Sequence, residues 1–356
     1  MKKNFYYGLG RPFSPFYSII MRTREYWYRK GVFRSSTFKV PVISIGNLTM
    51  GGTGKTPMVQ YLARFLKERG YKPAIISRGY GGATRERVNI VSNGSEVLLD
   101  ASYVGDEPRL LAESLPGVPV LTGVVRKLPA AKALDMGADI LLLDDGFQHL
   151  AIRRDLDLVL FNADVLAGNS RVFPGGDLRE PVKALHRCHV FVLTGTNEHN
   201  RERAEKFGRL LEERFPGKPM FFTEYRFSCL VQQKKGGRRV PVARAVLDSQ
   251  ACFAFCGIAQ PESFRRTLEQ IGVEPVAFES LPDHHVYRKN VVQQLVDQAE
   301  HFGATCFLCT EKDLVKLSDV DLGLPLYAVA MEVDPGPSLA EFVLDSLEKQ
   351  RVFAEN

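Results

Sequence analysis

Hydrophobic residues along this chain alternate between two spacings, and the alternation predicts an α/β fold. Residues 40–46 form a continuous apolar, β-branched run, the pattern of a parallel strand buried on both faces. Behind it Met58, Leu62, Phe65 and Leu66 recur at helical spacing, and Gly70 marks the stop. Further strand-like runs occupy 73–77, 118–122, 138–143, 156–162 and 189–194. Such a series predicts a doubly wound, mostly parallel sheet with its functional groups at the strand C-termini.

The texture changes near residue 221. Two β-rich runs flank Lys234-Lys235-Gly236-Gly237-Arg238-Arg239, which reads as the tip of a hairpin or ribbon. A second α/β unit follows, with strands at 251–256, 305–310 and 326–330 and a helix at 261–271. An amphipathic tail helix carrying Leu339, Phe342, Val343 and Leu347 is expected to close that unit. The expected organisation is an N-terminal helical segment (1–38), a P-loop NTPase-like core (39–220), a β-ribbon linker (221–245) and a smaller C-terminal α/β lobe (246–356).

Between the first strand and the first core helix stands Thr49-Met50-Gly51-Gly52-Thr53-Gly54-Lys55-Thr56. A glycine loop in that setting points backbone N–H groups at phosphates, and the helix N-terminus adds a positive dipole end. Lys55 is expected on the β/γ oxygens and the Thr56 hydroxyl on Mg²⁺. The usual pattern has glycine where Thr49 stands, and ParA/MinD-like ATPases carry a signature lysine where Met50 stands. A nucleoside triphosphate site is the reading.

Other segments bear chemistry of the same kind. Ile140-Leu141-Leu142-Leu143-Asp144-Asp145 has the form of a Walker B strand that delivers a carboxylate beside a metal ion, and Gln148 continues the same strand end. In Gly105-Asp106-Glu107-Pro108, Asp106 reads equally as a helix cap or as a general base. Asp283-His284-His285 gains interest only if the two units bring it to Asp106. Arg179 is a candidate in-cis arginine and Glu180 a candidate metal ligand, with a plain ion pair as the competing account; Arg126 and Arg78 are candidates like Arg179. Thr310-Glu311-Lys312-Asp313 approximates the base-reading motif of GTPases with the spacing wrong by one.

Charge and composition change the picture at one end of the chain. The 356 residues are 45% hydrophobic and 25% charged, ordinary for a globular protein. Nine of the 47 Lys/Arg lie within residues 1–39, with Glu25 the only acid there, which leaves 38 basic against 40 acidic residues beyond. The body therefore offers no basic patch for nucleic acid. The same segment holds eleven aromatics, Trp27 included, and rings interleaved with Lys/Arg suit a bilayer headgroup region. No apolar run approaches the ~18 residues that a span needs. An amphipathic segment lying on the cytoplasmic leaflet is expected. The six cysteines sit in strand-like runs, where positions three apart face opposite sides, so they read as buried thiols rather than zinc ligands.

Taken in order, these segments resemble the tetraacyldisaccharide 4′-kinase (lipid A 4′-kinase) family over nearly the whole chain. The resemblance rests on residues 44–49 running into Gly51-Gly52-Thr53-Gly54-Lys55-Thr56-Pro57, on Ser77-Arg78-Gly79-Tyr80-Gly81 and Gly105-Asp106-Glu107-Pro108, and on Asp144-Asp145-Gly146-Phe147-Gln148-His149. Leu178-Arg179-Glu180-Pro181, Asp283-His284 and Thr310-Glu311-Lys312-Asp313 complete it. It implies ATP- and Mg²⁺-dependent phosphorylation of the 4′-hydroxyl of tetraacyldisaccharide 1-phosphate at the cytoplasmic face of the bacterial inner membrane, with no obligate protein partner. It also implies Asp106 as base supported by His284, which directly follows an acid. Thr49–Thr56 would hold the nucleotide; Thr56, Asp144, Asp145, Gln148 and Glu180 would surround the metal; Arg126 and Arg179 would neutralise the transferring group. A membrane-associated ParA/MinD-like switch is the alternative.

Overall fold

The computed structural model describes residues 2–84, 86–234, 239–318 and 320–355. Two helices, α1 (Lys2–Gly10) and α2 (Ser14–Arg29), precede the first lobe. That lobe runs β1 (Val42–Asn47), α3 (Lys55–Glu68), β2 (Pro73–Ser77), β3 (Asn89–Ser92), α4 (Ala101–Val104), α5 (Asp106–Ser114) and β4 (Val120–Thr122). It continues through α6 (Lys127–Asp135), β5 (Ile140–Asp144), β6 (Leu156–Asn162), β7 (Val190–Thr194) and α7 (Arg201–Arg214). After β8 (Met220–Gln233) and β9 (Arg239–Val242), the second lobe contains β10 (Cys252–Cys256), α8 (Pro261–Gln270), β11 (Ala277–Ser280) and α9 (Lys289–His301). It ends with β12 (Cys306–Thr310), α10 (Glu311–Leu314), β13 (Leu326–Asp334) and α11 (Gly336–Glu355).

Among the described residues the strands form one sheet, ordered β11-β10-β12-β13-β8-β7-β6-β1-β5-β2-β4-β3, with β9 on β8. β1 lies between β5 and β6 and is parallel to both. Asn47, Asp144 and Asn162 therefore emerge along one edge, beside Thr194 at the end of β7. Every residue of β1, β2 and β5 is buried, which is why these strands read as near-continuous apolar runs.

β8 belongs to both lobes. Its residues 220–223 pair in parallel with β7, and its residues 224–232 pair antiparallel with β13 across a register shift at Ala330/Met331. β9 folds back on its far end; the tip of that turn, 235–238, lies outside the described residues. The tail helix does not close the second lobe as expected. Leu339, Val343 and Leu347 of α11 join the cluster of Ile43, Met58 and Leu62 in the first lobe, and the Phe342 ring lies 5.5 Å from that of Phe221. The nine-residue β13 is the reason, because it runs back along β8 as far as Asp334 and delivers the chain to the first lobe.

The cysteines behave as strand positions three apart should. Cys306 faces the cluster of Cys252 and Cys256, whereas Cys309 faces the opposite cluster with Phe253 and Phe307.

Asp313 fastens the second lobe. It is fully buried, and its carboxylate accepts from the Gly257 N–H (3.0 Å), the Tyr287 hydroxyl (2.8 Å) and the Thr310 hydroxyl (2.6 Å), with Lys316 Nζ at 2.9 Å. This ties the ends of β10 and β12 to the loop around residues 282–287. A carboxylate so enclosed cannot read a nucleotide base, which removes the GTPase-like reading of Thr310–Asp313. Asp313→Ala strands a buried cation and three donors, and is expected to cost at least about 3 kcal/mol. Urea unfolding monitored on the second lobe checks this, and an unchanged midpoint would contradict it.

Candidate active site

The phosphate loop is shaped by its neighbours before any ligand arrives. Asn47 Nδ2 donates to the Thr49 carbonyl at 2.8 Å, and the Thr194 hydroxyl donates to the Thr53 carbonyl at 2.9 Å. Gly54 caps α3 at φ +74°, where a Cβ would fall 1.7 Å from the Tyr225 hydroxyl oxygen. Glycine is required there both by the left-handed backbone and by the lack of space. A second strand of chain flanks the loop: the Met50 N–H donates to the Asp177 carbonyl (2.7 Å) and the Arg179 N–H to the Leu48 carbonyl (2.8 Å). Lys55 Nζ lies 3.5 Å from Asn47 Oδ1 and 3.6 Å from Asp145 Oδ1, at the mouth of the loop.

Beside it the end of β5 presents two carboxylates in contrasting states. Asp144 is buried and accepts from the Ser77 hydroxyl at 3.0 Å through Oδ2, while its Oδ1 has no partner. Burial, then the charges of Glu107 and Asp145, push this carboxyl up to about 6. Asp145 has a left-handed backbone (φ +51°) and accepts from Arg179 Nη1 at 2.8 and 2.7 Å. Burial opposes its charge, but Lys55, Arg179 and Arg126 outweigh it and hold it near 2. Arg126 is buried and donates to the Asp145 carbonyl at 2.8 Å; burial lowers its own pKa. The turn that follows approaches β1 closely, since a Cβ on Gly46 would sit 2.6 Å from that of Phe147.

These groups suit a hard divalent cation. The orphaned Oδ1 of Asp144 and the buried, unpartnered Oε1 of Gln148 are oxygens in want of a partner. Among the described residues no three His, Cys, Asp or Glu side chains gather as a metal site. The donor set here is instead mixed oxygen, and Mg²⁺ characteristically takes one or two carboxylates and fills its shell with water and phosphate. Glu180 is more committed: it is buried, ion-paired with Arg187, and 3.9 Å from Arg24 Nη1.

The second lobe brings the remaining chemistry across. His284 Nδ1 lies 3.0 Å from Asp106 Oδ2, although 178 residues separate them. Burial opposes charge on Asp106, yet the hydrogen bond and charge of His284, aided by Lys312, hold its carboxyl below the usual range. The same hydrogen bond raises His284 against the effect of burial. His284 adopts a left-handed backbone, with φ +56°. The next residue, His285, packs edge-on against Tyr287 with ring centroids 5.4 Å apart. Next to this pair Lys312 forms an ion pair with Glu107. Burial opposes charge on both partners; each shifts the other toward its ionised form, Lys312 upward and Glu107 downward.

One cleft of about 1260 Å³ joins these parts; the Asp106–His284 pair reaches it through His284, while Asp106 itself is buried and does not line it. Met50 through Thr56, Arg126, Asp144, Asp145, Gln148, Arg179, Glu180 and His284 line it; Thr49 is buried beneath the loop. Residues outside the expected set also line it, notably Ser77, Glu107, Lys312 and, from α2, Tyr17 and Arg24. Lys312 lies within Thr310-Glu311-Lys312-Asp313, a segment whose resemblance to a base-reading motif carries no signal for a lysine at the cleft. Arg24 carried no local signal beyond belonging to a basic helix.

The family described as tetraacyldisaccharide-1-P 4′-kinase matches residues 8–348 of the chain. A tetraacyldisaccharide 4′-kinase of Desulfotalea psychrophila is 44% identical over 347 residues, covering 96% of this chain and 97% of its own. That of Syntrophus aciditrophicus is 41% identical over 346 residues, covering 94% and 92%. Among solved structures, the "apo" form LpxK from Aquifex aeolicus in complex with ATP is similar with a TM-score of 0.75 at 31% identity, covering 94% of this chain and 98% of that one. With its phosphate loop, its paired carboxylates and a matching family description over most of its length, the chain belongs to the tetraacyldisaccharide-1-P 4′-kinase family.

Proposed function

We propose that the protein transfers the γ-phosphate of ATP to the 4′-hydroxyl of a tetraacyldisaccharide 1-phosphate, the step that forms lipid IVA in lipid A biosynthesis. The observation that carries this reading is His284 at the same cleft as the phosphate loop, hydrogen-bonded to the buried Asp106, in a chain of this family. A ParA/MinD-like switch is not favoured: Met50 occupies the signature-lysine position, and such a switch has no use for an acid–imidazole pair.

In this reading the loop amides of Met50–Thr56 and the Lys55 ammonium hold the β- and γ-phosphates. The 4′-oxygen forms its bond to phosphorus as the bond to the β,γ-bridging oxygen breaks, and Asp106 accepts the hydroxyl proton. His284 donates its Nδ1 N–H to Asp106, which keeps the carboxylate ionised and aimed. Arg126 and Arg179, anchored on Asp145, neutralise charge on the transferring group. Thr56, Asp144, Asp145 and Gln148, with Glu180 behind them, would hold Mg²⁺, which when bound neutralises the phosphate oxygens.

A substrate with four acyl chains stays in a bilayer, so the protein must work on a membrane surface. No helix among the described residues is long and apolar enough to cross a membrane. Residues 1–38 supply the docking segment at the cytoplasmic face of the inner membrane: exposed Phe13, Phe16, Ile19 and Ile20 enter the interface. Each Lys or Arg near an anionic surface adds about 1 kcal/mol.

Asp106→Ala is expected to lower kcat at least about a hundredfold with little change in ATP affinity; near-normal turnover would place the base elsewhere. His284→Ala removes the group that holds the Asp106 carboxyl low. The base must be deprotonated to act, so the acidic limb of the kcat/KM profile should move to higher pH. An unmoved limb would show that the pair is not coupled to turnover. Deleting residues 1–30 should release the protein from anionic vesicles while ATP still binds, and unchanged flotation would contradict the docking role.

A further inference from the structure

Helix α2 is amphipathic in the reverse sense from a helix folded onto its own protein. Its apolar residues face out, Phe16 at 68% and Ile20 at 61% exposure. Its inward stripe, positions 14, 17, 21 and 24, follows helical spacing and is mostly polar. That stripe is hydrogen-bonded to the site wall. The Ser14 hydroxyl donates to the Val172 carbonyl (2.8 Å) and accepts from the Gly175 N–H (2.9 Å). The Tyr17 hydroxyl donates to the Arg179 carbonyl at 3.1 Å. Arg24 Nη2 donates to the Gln148 carbonyl at 3.1 Å, and its Nη1 stands 3.9 Å from Glu180 Oε1.

The residues it grips are those that frame the phosphate site. Gln148 bonds back to the Asn47 carbonyl at 2.9 Å, Arg179 holds Asp145, and the 177–179 backbone flanks the phosphate loop. Glu180 is buried between Arg24 and Arg187, and Arg187 is itself ion-paired to Glu25 of α2 at 3.0 Å. Withdrawing the Arg24 guanidinium removes a donor to residue 148 and a cation beside a buried carboxylate at once.

We propose that Arg24 is a positioning residue for phosphoryl transfer, acting through Gln148 and Glu180 while Tyr17 holds Arg179, so that the helix meeting the membrane also sets the wall of the phosphate site. This rests on the kinase reading above. Groups that orient a reacting site at one remove typically alter activity or metal affinity by about 10- to 100-fold. An anchor, by contrast, acts only through the concentration of enzyme at the surface.

The test uses the full-length protein with the acylated disaccharide 1-phosphate in detergent micelles, alongside flotation with anionic phospholipid vesicles and thermal unfolding. Arg24→Met is expected to lower kcat about tenfold, with KM for the lipid, flotation and unfolding midpoint close to wild type. Arg24→Lys should restore part of the loss, and Tyr17→Phe, which removes a single hydroxyl, should lower kcat in the same direction. Ile20→Glu, on the outward face, should instead reduce flotation. The proposal is overturned if Arg24→Met stays within about twofold of wild type in kcat. It is equally overturned if its kcat falls only together with flotation or with the unfolding midpoint. Wild-type turnover in the same assay separates failure of the kinase reading from failure of this one.

Discussion

The 3.0 Å contact between His284 and Asp106 is the constraint on which the rest of the site depends. It exists only because two lobes built on one continuous sheet face each other across a cleft. β8 gives the frame its stiffness, since it is hydrogen-bonded to the first lobe at one end and to the second at the other. α11 adds a second restraint by returning from β13 to the core of the first lobe. The Lys312–Glu107 ion pair then closes the same face one residue along from Asp106. An arrangement tied at so many points keeps an acid and an imidazole in register without either lying on a rigid element shared with the other.

Charge at the site is divided rather than pooled. Arg179, Lys55 and Arg126 surround Asp145 and keep it ionised, while Asp144, buried beside Glu107 and Asp145, carries an excess of negative field. That asymmetry leaves uncompensated negative charge at Asp144 and gathers the cationic groups around Asp145. His149, behind them, is held near 3 by burial and by Arg126, Arg154, Arg24 and Arg78, so it stays neutral in this positive surrounding.

The phosphate loop and the β5 carboxylates could be read directly, because their chemistry needs a strand, a turn and a helix that are adjacent in sequence. The Asp106–His284 contact could not, since nothing near Asp106 in the sequence marks a partner 178 residues away. That His284 meets Asp106 while His285 packs on Tyr287 is likewise set by the folded loop, since adjacent histidines offer the same chemistry in sequence. β11 was invisible for another reason: it is a four-residue edge strand with no buried position, and so has no alternation to detect. The packing of α11 on the first lobe is not legible either, because amphipathicity identifies an apolar face and not the surface that covers it.

The account joins a nucleotide site, a base and a membrane-facing helix into a single claim: a triphosphate at Lys55 is passed to a lipid-borne sugar hydroxyl. The most direct measurement incubates the purified protein with γ-labelled ATP, Mg²⁺ and tetraacyldisaccharide 1-phosphate in micelles, in parallel with an unacylated glucosamine disaccharide. The account predicts label in a new phosphomonoester at the 4′-position of the lipid, and much slower transfer to the soluble sugar. ATP consumed without label in the lipid would contradict it.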